Sequence, residues 1–195
     1  MRKKSHISLA RYIVKEMEVE ELMKHRKAFC LGSILPDCKP SFFTMKHEFN
    51  GTFDKMQSEI ARLTTGTTQD NMRVYCRDLG QVIHFIADYF TFPHNHIFPG
   101  SLKDHCIYEK ELKYSLRSYI KSGEAQRNLQ RMRVFKSSDE ICEFIKKSHE
   151  EYLKMKKTVK EDCKYIVSIC HQVVIGILSL IGIYCKNSTE LEIAA

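Results

Sequence analysis

His84-Phe85-Ile86-Ala87-Asp88 and, further on, His105-Cys106-Ile107-Tyr108-Glu109 each set a histidine and a carboxylate four residues apart. Residues at i and i+4 stand one above the other on a helix, so each pair can close on one ion if its segment is helical. Two such pairs, with His94 between them, ask for two rigid helices whose faces converge. Imidazole nitrogen and carboxylate oxygen together are the donors of four-coordinate zinc. The spacing therefore argues for a helical scaffold and a metal at the same time.

The rest of the chain agrees with helices. With 8 glycines and 4 prolines in 195 residues, there are few turn signals and long periodic stretches. We expect an all-α fold, a single multi-helix domain over residues 1–195 with a buried C-terminal helix. An apolar fraction of 43% excludes a disordered chain and is enough for a sizeable core. The net charge of +7 favours anionic surroundings such as phosphate substrates or acidic lipids. No long basic block with interleaved aromatics is present, so nucleic acid is a less favoured partner. Eight cysteines raise the question of disulfides. The basic start Met1-Arg2-Lys3-Lys4 leads into no apolar signal core, because Ile7-Ser8-Leu9-Ala10-Arg11 breaks off at a charge. The expectation is a cytoplasmic protein with reduced thiols, or a secreted one if the true N-terminus is a processed one.

Along the chain, residues from about Ser8 to His25 read as one helix striped by Leu9, Tyr12, Ile13 and Met17. Cys30 to Asp37 reads as a short apolar loop, and Phe42 to His47 as loop or half-buried turn. Phe53 to Leu63 is a second helix, Thr64 to Thr68 a linker, Asn71 to Phe90 a third helix stopped by Pro93, and Leu102 to Lys121 a fourth. Ser137 with Glu140 is a capping box that opens another helix. From Tyr165 to Tyr184 the chain is almost wholly apolar and long enough to span a bilayer. His171-Gln172 near one end and the lack of an aromatic belt favour a central core helix instead. His171 then reads as a satisfied core or near-site histidine and not a ligand, and His25 and His149, among charged residues, as surface histidines.

Taken together, Asp37, His47, His84-x3-Asp88-x5-His94 and His105-x3-Glu109, with His6 near the start, resemble the bacterial zinc-dependent phospholipase C family. The Gly32-Ser33-Ile34-Leu35-Pro36-Asp37 segment resembles its early aspartate-bearing loop. The resemblance covers about residues 6 to 109, and fungal zinc nucleases share the His-x3-Asp-x5-His element. It implies an all-α fold with three zinc ions in a cleft. The first would take Asp37, His47, His84 and Asp88, and the second His94, His105 and Glu109 with a position left open. The third would take His6 and share Asp88 as a bridge. The family completes that third site with the amine and carbonyl of an N-terminal tryptophan, and this chain has no tryptophan, which leaves two or three ions. His96 competes with His94, and the six-residue step from Asp88 to His94 matches the family.

Five histidines and three carboxylates carry about −3 against about +6 from three zinc ions, a balance suited to a phosphodiester. The expected activity is zinc-dependent phosphodiester hydrolysis, most of all phospholipase C-like, with metal-activated hydroxide attacking phosphorus in line. Asp37 serves as ligand or as base. The substrate is a phospholipid or another phosphodiester, which leaves room for peripheral membrane contact. A nuclease or nucleotidase of the related zinc superfamily and a non-catalytic zinc-stabilised binding module stand as the alternatives. Glu109 in the second pair and the short step from His94 to His105 lean towards the phospholipase branch.

Overall fold

The computed structural model describes residues 1–38, 48–65, 71–129, 132–155 and 157–184. Among the described residues every regular element is helical: α1 (Lys3–Met17), α2 (Glu20–Lys24), α3 (Arg26–Gly32), α4 (Phe49–Thr64), α5 (Met72–Tyr89), α6 (Leu102–Lys121), α7 (Glu124–Arg127), α8 (Ser138–Lys154) and α9 (Val159–Leu180). Short 3-10 turns at Pro36–Cys38 and Phe92–His94 join them. The fold is all-α, as expected.

Several helix starts are written in the sequence. Asn71 accepts a hydrogen bond from the backbone N–H of Val74 and opens α5, and Thr158 accepts from Glu161 and opens α9. The complete capping box is at Ser101 and Asp104, ahead of α6, where the side chain of each bonds the backbone of the other. The box expected at Ser137 forms in half. Ser137 accepts from Glu140 N–H, but the Glu140 carboxylate reaches back to the N–H of Lys136 instead. The single helix expected from Ser8 to His25 is two. Glu18 adopts φ 50°, in the left-handed region, and divides α1 from α2. No glycine or proline announces that break. The loop expected from Cys30 begins later, because Cys30 to Gly32 still belong to α3. The stretch Phe42 to His47 lies outside the described residues.

α9 is the buried C-terminal helix. It is long and apolar enough to cross a membrane, with mean hydropathy 1.6, yet 72% of its most apolar window is buried by the rest of the fold. It packs on α4, α5, α6 and α8. α5 is the second central helix, with Leu79, Val82, Ile83 and Ile86 in the core. Cys76, Cys142, Cys163 and Cys170 are buried thiols, and no disulfide forms among the described residues.

The closest helix pair is α3 on α5, and two glycines make it possible. A Cβ added at Gly32 would overlap the carbonyl oxygen of Arg77, and one at Gly80 that of Phe29. Backbone meets backbone, so no side-chain rotamer can relieve the clash. This contact brings the loop after α3 under the end of α5. Gly80→Ala is expected to destabilise the fold by about 1–3 kcal/mol through overpacking. Thermal unfolding checks it, and an unchanged melting temperature would contradict the close approach.

Candidate metal centre

Seven of the eight candidate side chains come together at one end of the helices. His6 lies on α1, Asp37 on the 3-10 turn after α3, His84 and Asp88 on the last turns of α5, His94 on the turn that follows, and His105 and Glu109 on α6. His47 lies outside the described residues. His96, the competitor of His94, is exposed.

Two groups of donors can be distinguished. In one, ligand atoms of His6, Asp37 and His84 all lie within 4.8 Å of one another, and in the other those of His94, His105 and Glu109 do. His84 Nε2 is 3.5 Å from Asp37 Oδ1 and 3.3 Å from Asp88 Oδ2. His94 Nε2 and His105 Nε2 are 3.2 Å and 3.3 Å from the same oxygen, Oε1 of Glu109. Bonds of about 2.0–2.2 Å to a tetrahedral zinc place neighbouring donors roughly 3.3–3.6 Å apart. The observed separations fall on or near that edge length.

Asp88 joins the groups. Its Oδ1 is 3.3 Å from His6 Nε2, and its Oδ2 faces His84 and, at 3.8 Å, His94 Nδ1. His6 thus stands with Asp37 and His84 as well as beside Asp88. The rings of His6 and His84 stack with centroids 4.0 Å apart.

The donors fit a metal in two further ways. His84 Nδ1–H donates to the carbonyl oxygen of Ser33 at 2.9 Å, which fixes the tautomer and leaves the Nε2 lone pair facing the carboxylates. His6 is fully buried, and neither ring nitrogen makes a hydrogen bond among the described residues. An orphaned imidazole in the interior is costly, and coordination would satisfy its Nε2. Burial pushes the His84 imidazole down to about 3 and also lowers His6 and His94. All three are thus held neutral, the form that ligates. Burial alone would raise Asp88, but the Met1 amine and the histidines around it outweigh that and hold its carboxyl well below the usual range.

One participant is a backbone group. Arg2 donates to the carbonyl oxygen of Cys106 at 3.0 Å, which ties the start of α1 to the start of α6. The α-amine of Met1 then lies 2.5 Å from Asp88 Oδ1, 3.0 Å from His94 Nε2 and 3.2 Å from Glu109 Oε1. The two carboxylates raise its pKa despite burial.

Two residues that the sequence did not point to hold the ligands from behind. Asp162, buried on the first turn of α9, accepts from Phe92 N–H (2.9 Å), Tyr108 OH (2.9 Å) and Tyr152 OH (2.8 Å). Burial pushes its carboxyl up to about 6. One carboxylate thus grips the turn that carries His94 and the residue next to Glu109. His149 is not a surface residue. It is buried, stacked on Phe49 at 4.1 Å, and donates from Nε2 to Asn95 Oδ1 at 2.8 Å. Asn95 in turn donates to the carbonyls of Tyr89 and Thr91, which closes the turn after α5. His171, expected to be satisfied, is buried with Nδ1 lacking a hydrogen bond among the described residues.

Asp162→Ala would leave three donors unpaired and free the His94 turn. Zinc affinity is expected to fall roughly 10- to 100-fold, the usual effect of losing an outer partner of the ligands. Asp162→Asn, which can still accept from Phe92 N–H, should recover part of it. A competitive zinc titration reads both, and wild-type affinity in Asp162→Ala would refute the role.

A family model described as zinc dependent phospholipase C matches residues 5–159. All eight candidate ligands fall inside that span. No curated protein and no solved structure gives a match.

Proposed function

Because the chain belongs to the zinc-dependent phospholipase C family, we propose that its two donor groups act as one hydrolytic centre for phosphodiesters, phospholipids first among them. The observation that carries this reading is Asp88. A carboxylate with no exposed surface reaches both groups, with Oδ1 on His6 and Oδ2 shared between His84 and, at 3.8 Å, His94. A lone structural ion would need no such bridge.

His6, Asp37 and His84 would hold one ion, His94, His105 and Glu109 another, and the Met1 amine with Asp88 offers donors for a third. Zinc, when bound, supplies a Lewis acid for the phosphoryl oxygens and makes water acidic near neutral pH. The protein's own part is placement and proton handling. His84 is locked in one tautomer by Ser33, so its donor does not wander. Asp37, whose side chain is only slightly exposed, would be the carboxylate that orients the attacking water and takes its proton. His105, with 27% of its side chain exposed against 0% for His84, marks the side from which substrate enters.

Purified protein should hydrolyse a choline phosphodiester chromogen in the presence of zinc and lose that activity on chelation. Single-stranded DNA is the control substrate. Hydrolysis of DNA in place of the choline ester would favour the nuclease reading, and tightly held zinc with neither activity would favour the binding module.

A further inference from the structure

α6 carries more than metal ligands. Lys103, Ile107, Lys110, Tyr114, Arg117 and Lys121 are all exposed and recur at steps of four and three residues, so they form one stripe along the outer side of the helix. The two apolar members are well exposed, Ile107 at 54% and Tyr114 at 56%. A stripe that alternates cations with exposed apolar side chains is unusual for a face that only meets water.

Beside the stripe runs a groove of about 910 Å³ between α6 and α1. Lys4, Arg11 and Lys15 line it from α1, and Lys113, Arg117 and Lys121 from the α6 side. Glu16 is the one acid among the described residues that line it. None of these cations, nor Lys103 or Lys110, forms an ion pair among the described residues. Lysines elsewhere do, as Lys147 does with Glu143 and Lys164 with Glu161. Asp104, the nearest acid to Lys103, is engaged in the cap with Ser101, and Glu111 is the other exposed acid on α6. The positive charge on this face is therefore not offset by ion pairs among the described residues.

The metal ligands of α6 lie on its other side: His105 is two residues from both Lys103 and Ile107, and it points in the same direction as buried Leu112 and Leu116. His105, on the first turns of α6, is flanked by Leu102, three residues before it and 79% exposed, and by Phe98, whose ring lies 6.3 Å away. The exposed rim of the centre at the start of α6 is thus apolar.

We propose that the outer face of α6, with the groove it shares with α1, is a docking surface for anionic phospholipid bilayers. Phosphate and carboxylate headgroups complement the cations, and Leu102, Ile107 and Tyr114 partition into the headgroup boundary. A nucleic acid would match the charge but would gain little from Leu102 and Ile107, since base stacking needs aromatic platforms. The docking does not rest on the hydrolase reading.

The test uses full-length, zinc-loaded protein and sedimentation with vesicles of phosphatidylcholine, with and without phosphatidylserine. Binding is expected to require phosphatidylserine and to weaken at high salt. Each cation near an anionic surface contributes roughly a fivefold change in partitioning. The variant Lys110→Gln/Arg117→Gln/Lys121→Gln should therefore bind roughly a hundredfold more weakly. Its hydrolysis of a soluble choline phosphodiester chromogen should equal the wild type's, which shows that the fold and the centre are intact. Ile107→Ser should weaken binding while leaving the salt dependence unchanged. Protein that sediments with anionic vesicles but hydrolyses nothing would keep the docking surface and sink only the hydrolase reading. Equal binding to neutral vesicles, full binding by the triple variant, or tight binding to single-stranded DNA with none to vesicles would each overturn the proposal.

Discussion

Asp88→Asn is expected to release zinc and reduce phosphodiester hydrolysis by roughly a thousandfold or more, the several kcal/mol that a metal centre supplies to the transition state. The substitution is nearly isosteric, so packing is kept and charge is removed. That charge is what His6, His84, His94 and the Met1 amine share in a region without solvent. An amide can offer a metal only one weak oxygen and cannot bridge. Elemental analysis and the chromogenic assay measure the two losses separately. An Asp88→Asn protein with full zinc content would show that the aspartate is not a shared ligand, whatever its activity.

The second large effect is acid sensitivity of the metal-free protein. His84 is held neutral, at about 3 against an ordinary 6.5, chiefly by burial and then by the neighbouring His6. Between those values the unfolded chain binds a proton that the folded chain refuses, so stability falls as pH falls from about 6.5 towards 3. At about 1.4 kcal/mol per unit, His84 alone accounts for roughly 5 kcal/mol, a large share of a typical stability of about 5–15 kcal/mol. His6 and His94 are lowered too and act in the same direction. Asp88 and Glu109 are held below their ordinary values and add stability that is present above those values and lost below them. The Met1 amine works oppositely. Its raised pKa gives stability that is complete below about 8 and is lost as pH rises through the folded value. Melting temperatures of chelated protein across this range should therefore fall steeply on the acid side. A flat profile from pH 7 to 4 would show that these histidines can charge in place.

Much of the site could be read before any coordinates. His84 with Asp88 and His105 with Glu109 were legible because a helix repeats its faces every three to four residues, so linear spacing encodes distance. The long apolar run ending near Tyr184 was legible as the core helix for the same reason, by composition and length. Residues whose role depends on a partner far along the chain were harder. Asp162 looks like one more charge at a helix start, and only the fold brings Phe92, Tyr108 and Tyr152 to it. His149 was hidden by its neighbours. Lys146, Lys147, Glu150 and Glu151 suggest a wet surface, yet Ile141, Ile145, Ser148 and Tyr152 mark a buried stripe to which His149 belongs. The break at Glu18 had no glycine or proline to announce it, since the left-handed residue there is a glutamate.

The position of the Met1 nitrogen has a practical side. A fusion peptide ahead of Met1, or a blocking group left on it, turns a basic nitrogen into a planar amide that neither pairs with two acids nor donates a lone pair. It also asks for space where there is none, since Met1 is only 4% exposed. Wherever Met1 carries a free amine, metal counts and turnover taken from front-tagged preparations would then describe a damaged pocket.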